Sequence, residues 1–178
     1  MNKQLPSERE ALTLLRKSGC SPDVIKHCKA VVKLAVKMAE RCREKKMNVD
    51  VEMVKIGALL HDIGRSKTHN VDHAIIGAEI AKSLGLSPQI ISIIERHIGG
   101  GITAEEAKNL GWPNKSYIPQ TIEEKIVAYA DKLIEGSKKI SIDRTIQDFE
   151  RKLGPQHPAV KRLKKLHEEM STFVVDPG

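Results

Sequence analysis

Five helix-start signatures punctuate this chain and leave little room for anything but helices. Ser7-Glu8-Arg9-Glu10, Thr103-Ala104-Glu105-Glu106 and Thr121-Ile122-Glu123-Glu124 have the S/T-x-x-E form. In that form the first side chain and the glutamate each satisfy a backbone N–H that an opening turn leaves free. Ser21-Pro22 and Ser87-Pro88 pair an N-cap with a proline, whose missing N–H costs nothing at the first helical position. Behind Ser21 the apolar residues Val24, Cys28, Val31, Leu34, Ala35, Met38 and Cys42 recur at helical spacing, which predicts one long helix to about Lys45. The first helix is expected to reach about Lys17 and stop at Gly19. Asp50 and Asp72 read as N-caps for helices over 51–60 and 73–84, with Gly85 ending the second. The Thr121 helix is read as carrying Ile126, Val127, Ala130, Leu133 and Ile134 toward the core. Ser141 caps another helix to Leu153, and the last starts near Pro158. No strand-like alternation is visible, so the expectation is all-α, one domain over residues 1–178.

Aromatic residues are only 3% of the chain, so the core of such a bundle must be aliphatic. The same scarcity weighs against sequence-tolerant single-strand binding through stacked bases. Cys20, Cys28 and Cys42 are odd in number and have no CxxC spacing, and they read as free, mostly buried thiols in a reducing compartment. There is no run of about 18 apolar residues, and the stretch from Met1 to Pro6 lacks the apolar centre of a signal peptide. No membrane association is expected, and the protein reads as cytoplasmic. A formal charge of +7 favours anionic partners, phosphate compounds first and nucleic acid more weakly, although a solvated basic surface also accounts for it. Lys161, Arg162, Lys164 and Lys165 on the last helix read as such a surface.

Four polar residues stand out against this background. His61-Asp62 follows the apolar run Ile56-Gly57-Ala58-Leu59-Leu60 at a helix end, and Gly64 is read as letting the backbone turn sharply. Adjacent helical residues point about 100° apart, so the pair can flank one ion off the helix end but cannot lie parallel. His27 sits beside the apolar stripe of the long helix, and Asp131 lies among the apolar positions of the Thr121 helix. A lone histidine so placed is more often a satisfied boundary residue, whereas a buried carboxylate needs a partner. Two imidazoles and two carboxylates together form an N/O set suited to Mn, Fe, Co, Ni or Zn.

In their order along the chain, His27, His61-Asp62 and Asp131 resemble the pattern of the HD-domain metal-dependent phosphohydrolases: a first His, a His-Asp pair and a distant Asp. Ala130-Asp131-Lys132 looks like the family's segment around its last Asp, and His61-Asp62-Ile63-Gly64 is similar to the HDIG subgroup. The resemblance spans roughly residues 23–140 and rests on the four parts together. It implies an all-helical HD-domain bundle with a central metal site, on which the N-terminal helix and the C-terminal helices pack. It also implies hydrolysis of a phosphomonoester or phosphodiester, of a nucleotide or dinucleotide, by metal-activated water. His73 and His97 occur where binuclear members place extra histidine ligands, and Asp62 has two oxygens with which to bridge two ions. One ion and two ions both remain open, because His73 and His97 can instead bind substrate phosphate or cap helices. A GYP-type extension is missing, which argues against cyclic-di-GMP hydrolysis.

Charge growing on a phosphate needs cations nearby. Arg65, Arg96 and Lys132 are the candidates closest in sequence to the ligands, and Lys132 ranks first because it follows Asp131. Asp62, Lys132 and Arg65 are therefore the expected catalytic residues. Lys67 reads as a surface residue, and His69, His157 and His167 lack neighbours that suggest ligation. Residues 99–120 hold three successive glycines, the only tryptophan and two prolines. They read as an irregular excursion that sets substrate choice if it closes as a lid. Two other readings stay open: a di-iron oxygenase on the same scaffold, and a metal- or nucleotide-binding regulatory module without catalysis.

Overall fold

The molecule is organised around a helix whose C-terminal half is apolar on every side. In α3 (Val51–Leu60), Val54 and all of residues 56–60 are buried, and a helical stretch without a polar face has to be enclosed. In the computed structural model, which describes residues 4–174, it is enclosed by α1 (Glu8–Ser18), α2 (Pro22–Glu44), α5 (Pro88–Glu95) and α7 (Ile122–Lys132). The apolar stripe of α2, from Val24 through Cys42, is buried along its whole length. All three cysteines are free and buried. α4 (His73–Ser83) packs on α5 and on the 3-10 turn Ile63–Ser66, which continues from α3. The short α6 (Ala104–Asn109) follows, and α8 (Ile142–Leu153) and α9 (Pro158–Met170) close the chain, α9 against α7. Among the described residues no helix is long and apolar enough to cross a membrane.

All five start signatures form as expected. Ser7, Thr103 and Thr121 make complete capping boxes, and Ser21 and Ser87 cap helices that open with proline. Asp50 and Ser141 also accept N-cap bonds, from the backbone N–H groups of Met53 and Arg144. Asp72 does not. It precedes α4, but its carboxylate accepts from Trp112 Nε1 at 2.7 Å. The indole competes successfully for the oxygen and ties the 112–120 segment to the start of α4. Trp112 and Tyr117 are then buried with Ala74 and Ala107 in a small second apolar cluster.

Two other expectations are corrected. α7 stops at Lys132, and Ile134 lies instead in a hairpin in which Ile134–Glu135 pairs antiparallel with Lys138–Lys139. The connection Gly136-Ser137 is a two-residue loop with Gly136 at φ 59°, a backbone angle that suits glycine at such a turn. Gly64 has no left-handed backbone angle, so a sharp turn is not why it is glycine. The reason is close approach: a Cβ there would lie 1.8 Å from the His73 carbonyl oxygen and 2.7 Å from the Gly77 nitrogen. Missing side chains at 64 and 77 let α4 lie directly on the turn after α3.

Candidate metal centre

Four histidines are held in the same way. Nδ1 of His61 donates to the Ala58 carbonyl at 2.6 Å and Nδ1 of His97 to the Ile94 carbonyl at 2.6 Å. Those two carbonyls sit in the last turns of α3 and α5, where no intrahelical N–H reaches them. Nδ1 of His73 donates to the Asn70 carbonyl at 2.7 Å, and Nδ1 of His27 to the Gly136 carbonyl in the hairpin at 2.7 Å. A carbonyl oxygen can only accept, so every Nδ1 carries a hydrogen and is turned outward, which leaves Nε2 as the atom each ring directs into the cluster. Backbone partners of this kind fix the tautomer and the orientation of a metal-binding histidine.

The four Nε2 atoms converge on two carboxylates. Asp62 Oδ1 lies 3.2 Å from His73 Nε2 and 3.4 Å from His97 Nε2. Its Oδ2 lies 3.7 Å from His27 and 3.6 Å from His61. Asp131 Oδ1 completes the second group at 2.9 Å from His27 and 3.3 Å from His61. His73 and His97 bring their Nε2 atoms to 2.9 Å of each other. His61 Nε2 and Asp62 Oδ1 are buried with no hydrogen-bond partner. Such an accumulation of acceptors is costly unless a cation compensates it. Donor atoms of His27, His61 and Asp131, and those of His61, Asp62 and His97, lie within 4.8 Å of one another. Ligands about 2.0–2.2 Å from a common ion stand at comparable separations. The residues therefore fit a divalent metal ion.

Charges in the cluster agree with that fit. Burial opposes the charge on Asp62, but His61, His73 and His97 outweigh it and hold the carboxyl well below its ordinary range. Asp131 is also held well below despite its burial, by Lys132 first and then by His27 and His61. Burial pushes the Cys20 thiol up to about 11 and the Cys28 thiol well above its ordinary value, so neither offers a thiolate. Burial pushes His97 down to about 4, although Asp62 pulls the other way. On unfolding, His97 takes up protons between about 6.5 and about 4, so the metal-free protein loses stability as pH falls through that window. For His61 the carboxylates outweigh burial and raise the pKa, so its stabilisation is lost only as pH rises above its ordinary value. The expected result is a Tm of the chelated protein that declines from pH 6.5 toward 4, with divalent-ion affinity declining alongside it. A Tm that climbs on acidification through that range would contradict this account.

Two of the three expected cations reach the site. Arg65 Nε donates to Asp62 Oδ2 at 3.0 Å while its Nη1 donates to the His69 carbonyl at 3.0 Å, and Lys132 Nζ donates to Asp131 Oδ2. Both line an open cleft of about 700 Å³ above the cluster, as does His69. Arg96 does not line it. Its Nη1 binds both oxygens of buried Glu124, at 3.0 and 3.2 Å. Glu124 also serves the α7 capping box, and its carboxylate draws the guanidinium away from the phosphate-binding role expected from its place beside His97. Of residues 99–120 only Gly99 lines the cleft, the Trp112 segment being packed elsewhere. The opposite wall comes from α8, where Thr145, Asp148, Phe149 and Lys152 face the opening. No motif marks these in the sequence; Thr145 Oγ1 donates to the Lys132 carbonyl at 2.7 Å and ties α8 to the end of α7. His157 and His167 lie away from the cluster, one capping α9 and the other bonded to the Tyr129 hydroxyl at 2.7 Å.

The family model for the HD domain matches residues 24–136. The chain belongs to the HD-domain family. That membership makes this HD protein part of the superfamily of metal-dependent phosphohydrolases. An uncharacterized protein of Methanocaldococcus jannaschii is 49% identical over 93% of this chain and 97% of its own length. A tRNA (cytidine(56)-2'-O)-methyltransferase of Picrophilus torridus is 46% identical over 96% of this chain, which spans only 48% of that protein. Among solved structures, the HD domain of the L. monocytogenes phosphodiesterase PgpH in complex with cyclic-di-AMP has the same fold. It matches with a TM-score of 0.55 at 20% identity, over 86% of this chain and 92% of that one.

Proposed function

We propose that this HD protein hydrolyses a phosphomonoester or phosphodiester of a nucleotide, using two divalent ions held by His27, His61, Asp62, Asp131, His73 and His97. The observation that carries the two-ion reading is the division of labour within Asp62. Its Oδ2 faces His27 and His61, and its Oδ1 faces His73 and His97. Ions bound there supply an acidified water and a positive charge for the phosphoryl oxygen. The chain's own residues do the rest. Four Nδ1–H···O=C bonds keep the imidazoles pointing inward, Arg65 holds Asp62 by its Oδ2, and Lys132 holds Asp131. Arg65 and Lys132 also line the cleft, where their charge favours an anionic substrate and opposes the loss of that anion as charge develops. Space of about 700 Å³ suits a ligand larger than phosphate, a nucleoside attached to it being one that fits. A counterpart of this chain forming about half of a tRNA methyltransferase favours a ribonucleotide as the carrier of the scissile ester.

The test is a panel of nucleoside monophosphates, cyclic nucleotides, dinucleotides and bis(p-nitrophenyl) phosphate, run on protein of measured metal content. Turnover should vanish with a chelator and return on adding Mn, Co, Ni, Zn or ferrous iron. Phosphoester cleavage that persists without metal would overturn the reading. Oxygen uptake by a two-iron form that releases no phosphate would replace it with the oxygenase chemistry.

A further inference from the structure

Helix α2 carries an exposed feature besides the half-buried His27. Lys26, Lys29, Lys33 and Lys37 succeed one another at steps of three, four and four residues on its solvent side. They line a surface groove whose other edge is Ile134 and Ser137 of the hairpin. Ile134 also belongs to the wall of the catalytic cleft, so the groove and the cleft meet at the hairpin, one residue from His27.

Some lysines elsewhere are offset by carboxylates, among them Lys55 by Glu8 and Glu52, Lys125 by Glu169 and Lys164 by Glu150. Among the described residues, none of the four α2 lysines is in an ion pair. Lys29 with Lys33, and Lys33 with Lys37, are like charges one turn apart, an arrangement that destabilises a helix. At 1.5 Å per residue the four positions cover about 17 Å in steps of about 4.5–6 Å, a period that suits the phosphates of an extended strand. A membrane surface is a poorer match, because the apolar face of α2 is committed to the core and only lysines would meet the lipid. Nor is a duplex favoured: ligands at the base of the cleft can be reached by a flexible strand but not by a stiff double helix.

We propose that the lysine row is a docking track for the phosphodiester backbone of a single-stranded nucleic acid, leading one end of the strand into the cleft. Delivery to the cleft rests on the hydrolase reading above; the docking itself does not. Recognition is through backbone charge and so is indifferent to base sequence, in keeping with the few aromatic side chains available for stacking.

The experiment measures binding of short fluorescein-labelled RNA and DNA strands of one sequence by anisotropy across a salt series. It compares the full chain with the triple variant K29A/K33A/K37A. For single strands each phosphate contact contributes about 0.7 to the slope of log affinity against log salt, so the variant's slope should be shallower by about 2. Its affinity at low salt should fall about tenfold or more. Hydrolysis of bis(p-nitrophenyl) phosphate should be unchanged, and the variant should melt no lower than the parent, since alanine relieves the repulsion. Equal slopes and affinities for the two proteins would overturn the track, as would binding to phosphatidylserine vesicles in preference to either strand. Lysine-dependent strand binding by a protein inert on every phosphoester would leave the track standing and remove the hydrolase reading alone.

Discussion

Asp62→Ala is expected to remove bound divalent metal altogether and to lower phosphoester turnover by on the order of 10³-fold or more, while the helical circular dichroism is kept. Of the two carboxylates only Asp62 reaches both sides of the cluster, and His61, which stands near both, offers a single Nε2. Asp131 meets His27 and His61, and His73 meets His97. Asp62 alone has an oxygen toward each pair. Without it, four imidazoles remain whose hydrogens are already committed to carbonyls, and a single carboxylate remains that Lys132 partly neutralises. One carboxylate already bonded to Lys132 is too little negative charge to hold even a single dication in a buried site. The contrast is His97→Ala, which empties only the side shared with His73 and is expected to leave about one ion per chain with reduced turnover. Metal content measured beside the kinetics separates the two outcomes. An Asp62→Ala protein that keeps full metal content would sink the bridging assignment.

The parts legible in the sequence are those determined by local chemistry. N-caps are bonds between residues three apart, so Ser7, Thr103 and Thr121 announce their helices without reference to the rest of the chain. His61 and Asp131 are legible because a polar group among apolar neighbours needs a partner. What orients them is not legible, since the carbonyls of Ala58, Ile94, Asn70 and Gly136 are backbone atoms common to any residue type. Arg96 shows the limit of adjacency. It neighbours His97 in the chain, yet where the chain leaves α5 successive side chains diverge, and buried Glu124 lies on the side that Arg96 takes. The hairpin after α7 did carry a signal, the Gly136-Ser137 loop, but strands of two residues are too short to show alternation. The lysines of α2 are interleaved with its core positions, so a reading that follows the apolar face of the helix passes over them.

Gly64→Ala is expected to cost more than about 4 kcal/mol, at the extreme of single substitutions, and the fraction that folds should bind one metal ion fewer. An alanine Cβ would meet the His73 oxygen at 1.8 Å, the Gly77 nitrogen at 2.7 Å and the His73 carbonyl carbon at 2.8 Å. All three are backbone atoms, and no rotamer change can move them aside. α4 must then retreat as a body, and a close-packed interior passes such a displacement on instead of absorbing it. The first residue to move is His73, whose Nε2 faces Asp62 at 3.2 Å and His97 at 2.9 Å. Misplacement of a reacting or ligating group by about 1 Å is enough to cost on the order of 10² in rate. Gly77→Ala on the other side of the same contact should be milder, roughly 1–3 kcal/mol, because its nearest obstacle at 2.9 Å is the Ile94 side chain, and the Gly64 nitrogen stands off at 3.1 Å. Denaturant melts of the two variants with metal removed test the order directly. If Gly64→Ala proved as stable as Gly77→Ala, α4 would have to sit farther from the turn after α3 than it does here, and His73 would be too distant to share Asp62 with His97.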